Sequence, residues 1–241
     1  HKDEVRQVAR MLGLDEEIAS RQPFPGPGLG VRILCNDSTV AITTEQRKKL
    51  ADFLADYEGG KYVGKIAPIR SVGVQGDNRS YKSLVVLGGG LPTDWDALFE
   101  VARAIPNNLS FINRVAYRVD SKEPVNTLTC TPMHICHETA EVLREADAIV
   151  TGTVMNKKIA QCFAVLLPVS TDETSARPYS IVIRAVVTSD YMTARAAVPG
   201  VHFPVEALES AAKQIKEKLG DKVDMVLYDV TGKPPATIEW E

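Results

Sequence analysis

Arg79-Ser80-Tyr81, running into the apolar stretch Leu84-Val85-Val86-Leu87, has a counterpart in Arg177-Pro178-Tyr179, which runs into Ile181 to Val187. Aliphatic and β-branched residues dominate both stretches, so both read as strands. Their flanks recur too, which makes this an internal repeat. Upstream, Cys35 is followed after sixteen residues by Ala51-Asp52, and Cys130 after the same sixteen by Ala146-Asp147. Between them the apolar spacing is helical: Leu50, Phe53, Leu54 and Tyr57 in one copy, Val142, Leu143, Ala146, Ile149 and Val150 in the other. Lys65-Ile66 and Lys158-Ile159 then open strand-like runs that lead to the quoted stretches as hairpins. Downstream, Leu98, Val101, Ala102 and Ile105 mark one helix, and Val205, Leu208, Ala212, Ile215 and Leu219 mark another after Pro204. Each copy closes on a strand and a lysine: Val115-Ala116-Tyr117 before Lys122, and Met225 to Tyr228 before Lys233.

The pattern predicts an α+β fold of two tandem αββαβ lobes, each a small antiparallel sheet with helices packed on one face. Residues 1–30 are expected to hold a tail helix and a Pro/Gly linker, residues 31–123 the first lobe and residues 124–241 the second. With 44% hydrophobic and 24% charged residues, the chain has the composition of a globular protein, not of a disordered or collagenous one. A balance of 28 basic against 31 acidic residues, net charge -3, gives no global field for nucleic acid or an anionic membrane. No apolar run approaches the roughly 20 residues of a membrane span. Four irregularly placed cysteines favour free thiols and a reducing compartment, and the expected localisation is cytoplasmic.

Three stretches are candidates for chemistry. In Gln22-Pro23-Phe24-Pro25-Gly26-Pro27-Gly28-Leu29-Gly30, prolines remove backbone donors and glycines permit left-handed dihedrals. This is either a rigid interdomain linker or a place where backbone closely approaches a planar ligand on which Phe24 stacks. The turn Val72-Gly73-Val74-Gln75-Gly76-Asp77-Asn78-Arg79 reads as a plain hairpin, or as one whose arginine clamps an oxyanion. The tail Lys233-Pro234-Pro235-Ala236-Thr237-Ile238-Glu239-Trp240-Glu241 is docked by its tryptophan for packing, or is a functional segment in which Lys233 meets an anion. Cys130, His134, Cys136 and His137 form a CxxxHxCH string that matches no structural zinc spacing, so no metal is expected there. No Walker A string, nucleophile elbow or HExxH motif occurs, so the chain holds no complete catalytic machine.

The motifs Arg21 to Leu29, Arg70 to Asp77, Thr188-Ser189-Asp190-Tyr191-Met192-Thr193-Ala194 and Lys233 to Glu241, in that order, resemble the C-terminal dimerisation region of glutamine-hydrolysing GMP synthase, in its long form with a duplicated lobe. Lys2-Asp3-Glu4-Val5-Arg6 is similar to the last helix of that family's ATP pyrophosphatase domain. The resemblance implies a ligase that makes GMP from XMP, ATP and ammonia released from glutamine, in purine nucleotide biosynthesis. ATP and Mg2+ serve the parent enzyme, no cofactor is bound by this region, and the region alone is inactive. It also implies a homodimer, with the ATP pyrophosphatase and glutaminase domains as further partners.

By matching residues, Phe24, Pro25, Gly26, Pro27 and Gly28 would border the purine and ribose of XMP. Gln161, Lys233, Thr237, Ile238 and Glu239 would surround its sugar and phosphate. Arg79 would reach the phosphate of the other subunit. Arg177, which keeps the spacing before tyrosine, and Arg114, which keeps an arginine that Met225 replaces in the second copy, are rivals to Arg79. The competing reading is a freestanding α+β nucleotide- or RNA-binding regulatory module, which the acidic net charge opposes.

Overall fold

Thr43 opens the first long helix with a reciprocal cap, its hydroxyl accepting from the Gln46 amide while the Gln46 side chain accepts from the Thr43 amide. Asp94 caps the second in one direction only, its carboxylate accepting from the Ala97 amide. The computed structural model describes residues 2–19, 28–57, 60–75, 78–89, 92, 94–172, 174, 176–188 and 193–241. Two short helices, α1 (Lys2–Met11) and α2 (Glu16–Ala19), are followed by a 3-10 turn at Gly30–Arg32. Then come α3 (Thr44–Asp56), β1 (Val63–Gln75), β2 (Asn78–Gly88), α4 (Trp95–Asn108) and β3 (Ile112–Arg118). After the short β4 (Thr129–Cys130) the order recurs as α5 (His137–Val154), β5 (Gln161–Leu167), β7 (Tyr179–Val187), α6 (Val205–Leu219) and β9 (Val223–Asp229). The two-residue strands β6 (Val169–Ser170) and β8 (Arg195–Ala196) flank β7. Among the described residues no helix is long and apolar enough to cross a membrane.

The expectation of a small antiparallel sheet in each lobe is corrected by the strand pairing. The six long strands form one mixed sheet in the order β1-β2-β3-β9-β7-β5, with β8 added beside β7. β1–β2 and β5–β7 are antiparallel, but β2–β3 and β7–β9 are parallel. The reason is the intervening helix: α4 and α6 are crossover connections, which return the chain in the same direction. The repeats meet at the antiparallel pair β3–β9, where Tyr117 stands opposite Tyr228. The sequence of pairings is therefore the same read outward from either side of this junction.

Helices α3 to α6 all pack on one face, around Leu50, Leu98, Val101, Leu143, Val150, Leu208 and Ile215, against the inward residues Val85, Val115, Ala164, Ile183 and Val226. Alternation along the strands sends Ala67, Val86, Ala116, Phe163, Val182 and Leu227 to the other face. Among the described residues no helix contributes to that second core; the C-terminal tail covers it, through Ile238 and Trp240. Both faces of the central strands are thus buried, which explains their continuous apolar runs.

Candidate functional site

Three strands send a charged side chain to the tail-covered face. Arg114 on β3, Arg184 on β7 and Asp229 on β9 have side chains that are 0% exposed. Asp229 faces both arginines, with one carboxylate oxygen 2.7 Å from Arg114 Nη1 and the other 3.2 Å from Arg184 Nη1. One anion between two cations is a costly arrangement unless the remaining donors are satisfied, and here the tail backbone satisfies most of them. Arg184 donates to the carbonyls of Thr231 at 2.6 Å and Thr237 at 3.1 Å. Arg114 donates to the carbonyls of Glu239 at 2.8 Å and Val72 at 3.0 Å, and its guanidinium lies 4.3 Å from the centre of the Trp240 ring. Burial pushes the Arg114 guanidinium down to about 10, with Asp229 opposing the shift and Arg184 adding to it; it stays charged at neutral pH.

The first hairpin reaches this cluster because its register shifts between Ile66 and Arg70, a bulge that bends the strand. Past the bulge, Ser71 exchanges hydrogen bonds with the buried Asn113 of β3, hydroxyl to Oδ1 at 3.0 Å and Nδ2 to the Ser71 carbonyl at 2.8 Å. The Val72 amide donates to the Trp240 carbonyl at 3.1 Å, and the Val74 amide to the Pro235 carbonyl at 2.8 Å. Between them Gly73 pairs with Ala236. A Cβ on Gly73 would stand 2.5 Å from the Pro235 carbonyl oxygen and 2.7 Å from Asn113 Nδ2, so glycine is what lets hairpin and tail touch. We expect Gly73→Ala to cost about 1–3 kcal/mol by overpacking, measured as a lower urea midpoint of this chain; an unchanged midpoint would mean the contact relaxes without strain.

The linker ends against the second half of the molecule. Arg32, 7% exposed, pairs with Asp147 of α5 at 2.5 Å, donates to the Gly28 carbonyl at 3.3 Å, and lies 5.9 Å from the centre of the Phe163 ring. Asp147 also accepts from the Ala164 amide of β5 at 2.8 Å, and the Leu34 amide donates to the Leu166 carbonyl at 3.0 Å. Residues 28–34 therefore run along the free edge of β5. Phe163, beneath Arg32, stands opposite Arg184, the arginine that grips the tail.

Phe24, Pro25, Gly26 and Pro27 lie outside the described residues. Gly28 is described, with φ of 81°, and is held by Arg32. Gln161 is buried at the start of β5, on the same face as Phe163. Lys233 is half-buried; its amide donates to the Ala194 carbonyl at 2.7 Å and its carbonyl accepts from the Ala194 amide at 3.2 Å. Thr237 and Ile238 are buried, Thr237 donating to the Val72 carbonyl at 3.2 Å, and Glu239 is half-buried. Lys233 also lines a cavity of about 550 Å3 with Phe99, Arg103, Arg195, His202 and Pro234. Gln161, Arg79, Thr237, Ile238 and Glu239 do not line it.

Of the three rival arginines, Arg177 pairs with Asp172 and Asp224, each at 3.3 Å, and Arg114 is consumed by the tail cluster. Arg79 is exposed, opposite Val74 near the hairpin tip, and makes no ion pair with another described residue. His134 and His137 are exposed and diverge toward Asp37 and Glu141, while Cys136 caps α5. Among the described residues no group of three His, Cys, Asp or Glu is placed to hold a metal ion. Arg184, Asp229 and Asn113 carry no motif; the signal for Arg184 is a lone charge in an otherwise aliphatic strand, Ile181 to Val187.

Residues 149–240 match the family model described as the GMP synthase C terminal domain. A probable glutamine-hydrolysing GMP synthase of Caenorhabditis elegans is 33% identical over 100% of this chain and 41% of its own length. One of Leptospira interrogans is 38% identical over 100% of this chain and 38% of its own length. The GMP synthase of Exiguobacterium sibiricum is 40% identical over 51% of this chain and 27% of its own length. The chain thus spans about two fifths of the length of the relatives it matches throughout, 41% and 38%. Matched end to end by such enzymes and carrying their C-terminal domain in its second half, the chain is a C-terminal region of a GMP synthase.

Proposed function

We propose that this region holds the XMP of a glutamine-hydrolysing GMP synthase, and that its two halves supply within one chain the pairing that builds the site. The parent enzyme would convert XMP to GMP with ATP, Mg2+ and ammonia from glutamine. Adenylation and glutamine hydrolysis would belong to the ATP pyrophosphatase and glutaminase domains, so the region alone would not turn over. The supporting observation is convergence: the linker end and the Lys233 tail lie against neighbouring parts of β5 and β7, joined through Arg32, Phe163, Arg184 and Thr237. A purine monophosphate needs both a flat apolar border, which Phe24 to Gly28 would give, and a cationic end, which Lys233 would give.

Against the expectation that Arg79 serves the other subunit, it would in this reading act in cis. Its hairpin partner Val74 donates to the Pro235 carbonyl of the same chain, so the hairpin that carries Arg79 meets its own tail, which supports this reading. A second subunit is then not needed to complete the site, although a homodimer would remain compatible with it. The test is subunit mixing in the full-length enzyme. Arg79→Ala and Lys233→Ala would each weaken XMP use, and in cis their mixture recovers nothing beyond the average of the two. Recovery above that average requires shared sites and would return Arg79 to the partner subunit. Normal XMP kinetics in both variants would remove the functional reading itself.

A further inference from the structure

Arg184 holds both ends of one loop. Its Nη1 donates to the Thr231 carbonyl and its Nη2 to the Thr237 carbonyl, and Lys233 lies on the loop between them. A planar fork with fixed spacing between its donors can span two carbonyls in a way that a lysine ammonium cannot. The same guanidinium is 0% exposed, so it has no surface from which to touch a ligand. We infer that Arg184 is a positioning residue for the monophosphate site: it closes the Thr231–Thr237 loop and thereby fixes where the Lys233 ammonium stands. This rests on the reading of Lys233 as the phosphate-facing cation.

The loop has further anchors along its length: Lys233 pairs with Ala194, Pro235 and Ala236 meet Val74 and Gly73 of the hairpin, and the hydroxyls of Thr231 and Thr237 bond the carbonyls of Val115 and Val72. Each of these fixes one point of the loop. Arg184 bonds both ends at once and so fixes their separation on β7, which is itself hydrogen-bonded to strands on both sides. The consequence is preorganisation. Without the fork, the cost of ordering the loop falls on the binding of the ligand, and affinity drops with no contact to the ligand removed.

The experiment is a cycle in the full-length enzyme with Arg184→Lys, Lys233→Ala and the double variant, reading the KM for XMP beside that for ATP. Arg184→Lys should raise the XMP KM about ten-fold, the worth of roughly one hydrogen bond to a charged group, and leave the ATP KM alone. In the Lys233→Ala background the same change should add little, because the residue it positions is gone. Hydrogen exchange of the amides of Gly232, Lys233, Ala236 and Thr237 should quicken in Arg184→Lys. Should that variant fail to fold, Arg184→Met, which leaves Asp229 paired one-to-one with Arg114, carries the same comparison. Additive effects in the cycle, or an unchanged XMP KM with Lys233→Ala impaired, overturn the inference. An unchanged XMP KM in Lys233→Ala alone is instead the failure of the functional reading.

Discussion

Asp229→Asn is expected to destabilise this chain by about 3–5 kcal/mol, the usual cost of breaking a buried ion pair by removing one partner. The argument is one of charge count. Asp229 is the shared counter-ion of Arg114 and Arg184, and all three side chains are fully buried. An amide keeps the shape and can still accept a hydrogen bond, but it leaves two guanidiniums facing each other without an anion. Arg114 already sits at about 10 from burial, with Arg184 contributing to the depression, so losing Asp229 removes the main charge that offsets it. Arg114→Met should cost less, because Arg184 and Asp229 remain as a matched pair and methionine occupies the equivalent place, Met225, in the second repeat. Urea unfolding of the variants measures the order: wild type, then Arg114→Met, then Asp229→Asn as the least stable. A domain typically has only about 5–15 kcal/mol of stability, so recovery of Asp229→Asn largely unfolded also fulfils the expectation. Asp229→Asn with the wild-type midpoint would show that the cluster carries no net electrostatic dependence on its carboxylate.

The repeat is legible in the sequence because each copy carries the same local signals in the same order: a capped helix, a hairpin, a second helix and a short apolar strand. Those signals act over a few residues and survive reading one residue at a time. The joining of the copies is a different matter. β3 and β9 meet across nearly half the chain, and no local rule names a partner for Val115-Ala116-Tyr117. What the sequence does offer is that both closing strands are apolar on successive residues, the mark of strands buried on two faces and hence central. The parallel pairs follow from the element order itself, since α4 and α6 are crossovers, but the hairpin signals at 63–88 draw attention to antiparallel pairing alone.

The site divides in the same way. Lys233 and the tail stand out through composition, as an odd cluster of prolines and a tryptophan at the end of the chain. Arg184 and Asp229 do not, since a single charge in a strand reads as a solvated position until the tail is seen to cover it. Arg114 is visible only by comparing the two copies, where Met225 takes its place.

In the full-length enzyme, Lys233→Ala should raise the KM for XMP by roughly 10- to 100-fold, the loss of one charge-assisted hydrogen bond worth about 1.5–3 kcal/mol, with the KM values for ATP and glutamine near wild type. The selectivity follows from the ligand that the tail faces in this reading: only XMP brings its phosphate there. The Lys233 backbone is paired with Ala194 in both directions, at 2.7 and 3.2 Å, and the loop ends are held by Arg184; removal of the ammonium leaves these backbone bonds in place. Urea unfolding of the variant separates a binding defect from a folding one: a stability within about 0.5 kcal/mol of wild type, as for most substitutions outside the core, assigns the loss to XMP. Lys233→Arg should recover only part of the loss, because a broad guanidinium fork does not occupy the position of a compact ammonium on the same loop. If the interaction is equally strong in the ground and transition states, kcat is unchanged and the whole effect lies in KM; a fall in kcat as well would place the ammonium on charge that develops during the reaction. An XMP KM within two-fold of wild type, alongside normal stability, would reduce the tail to a cover for the second core.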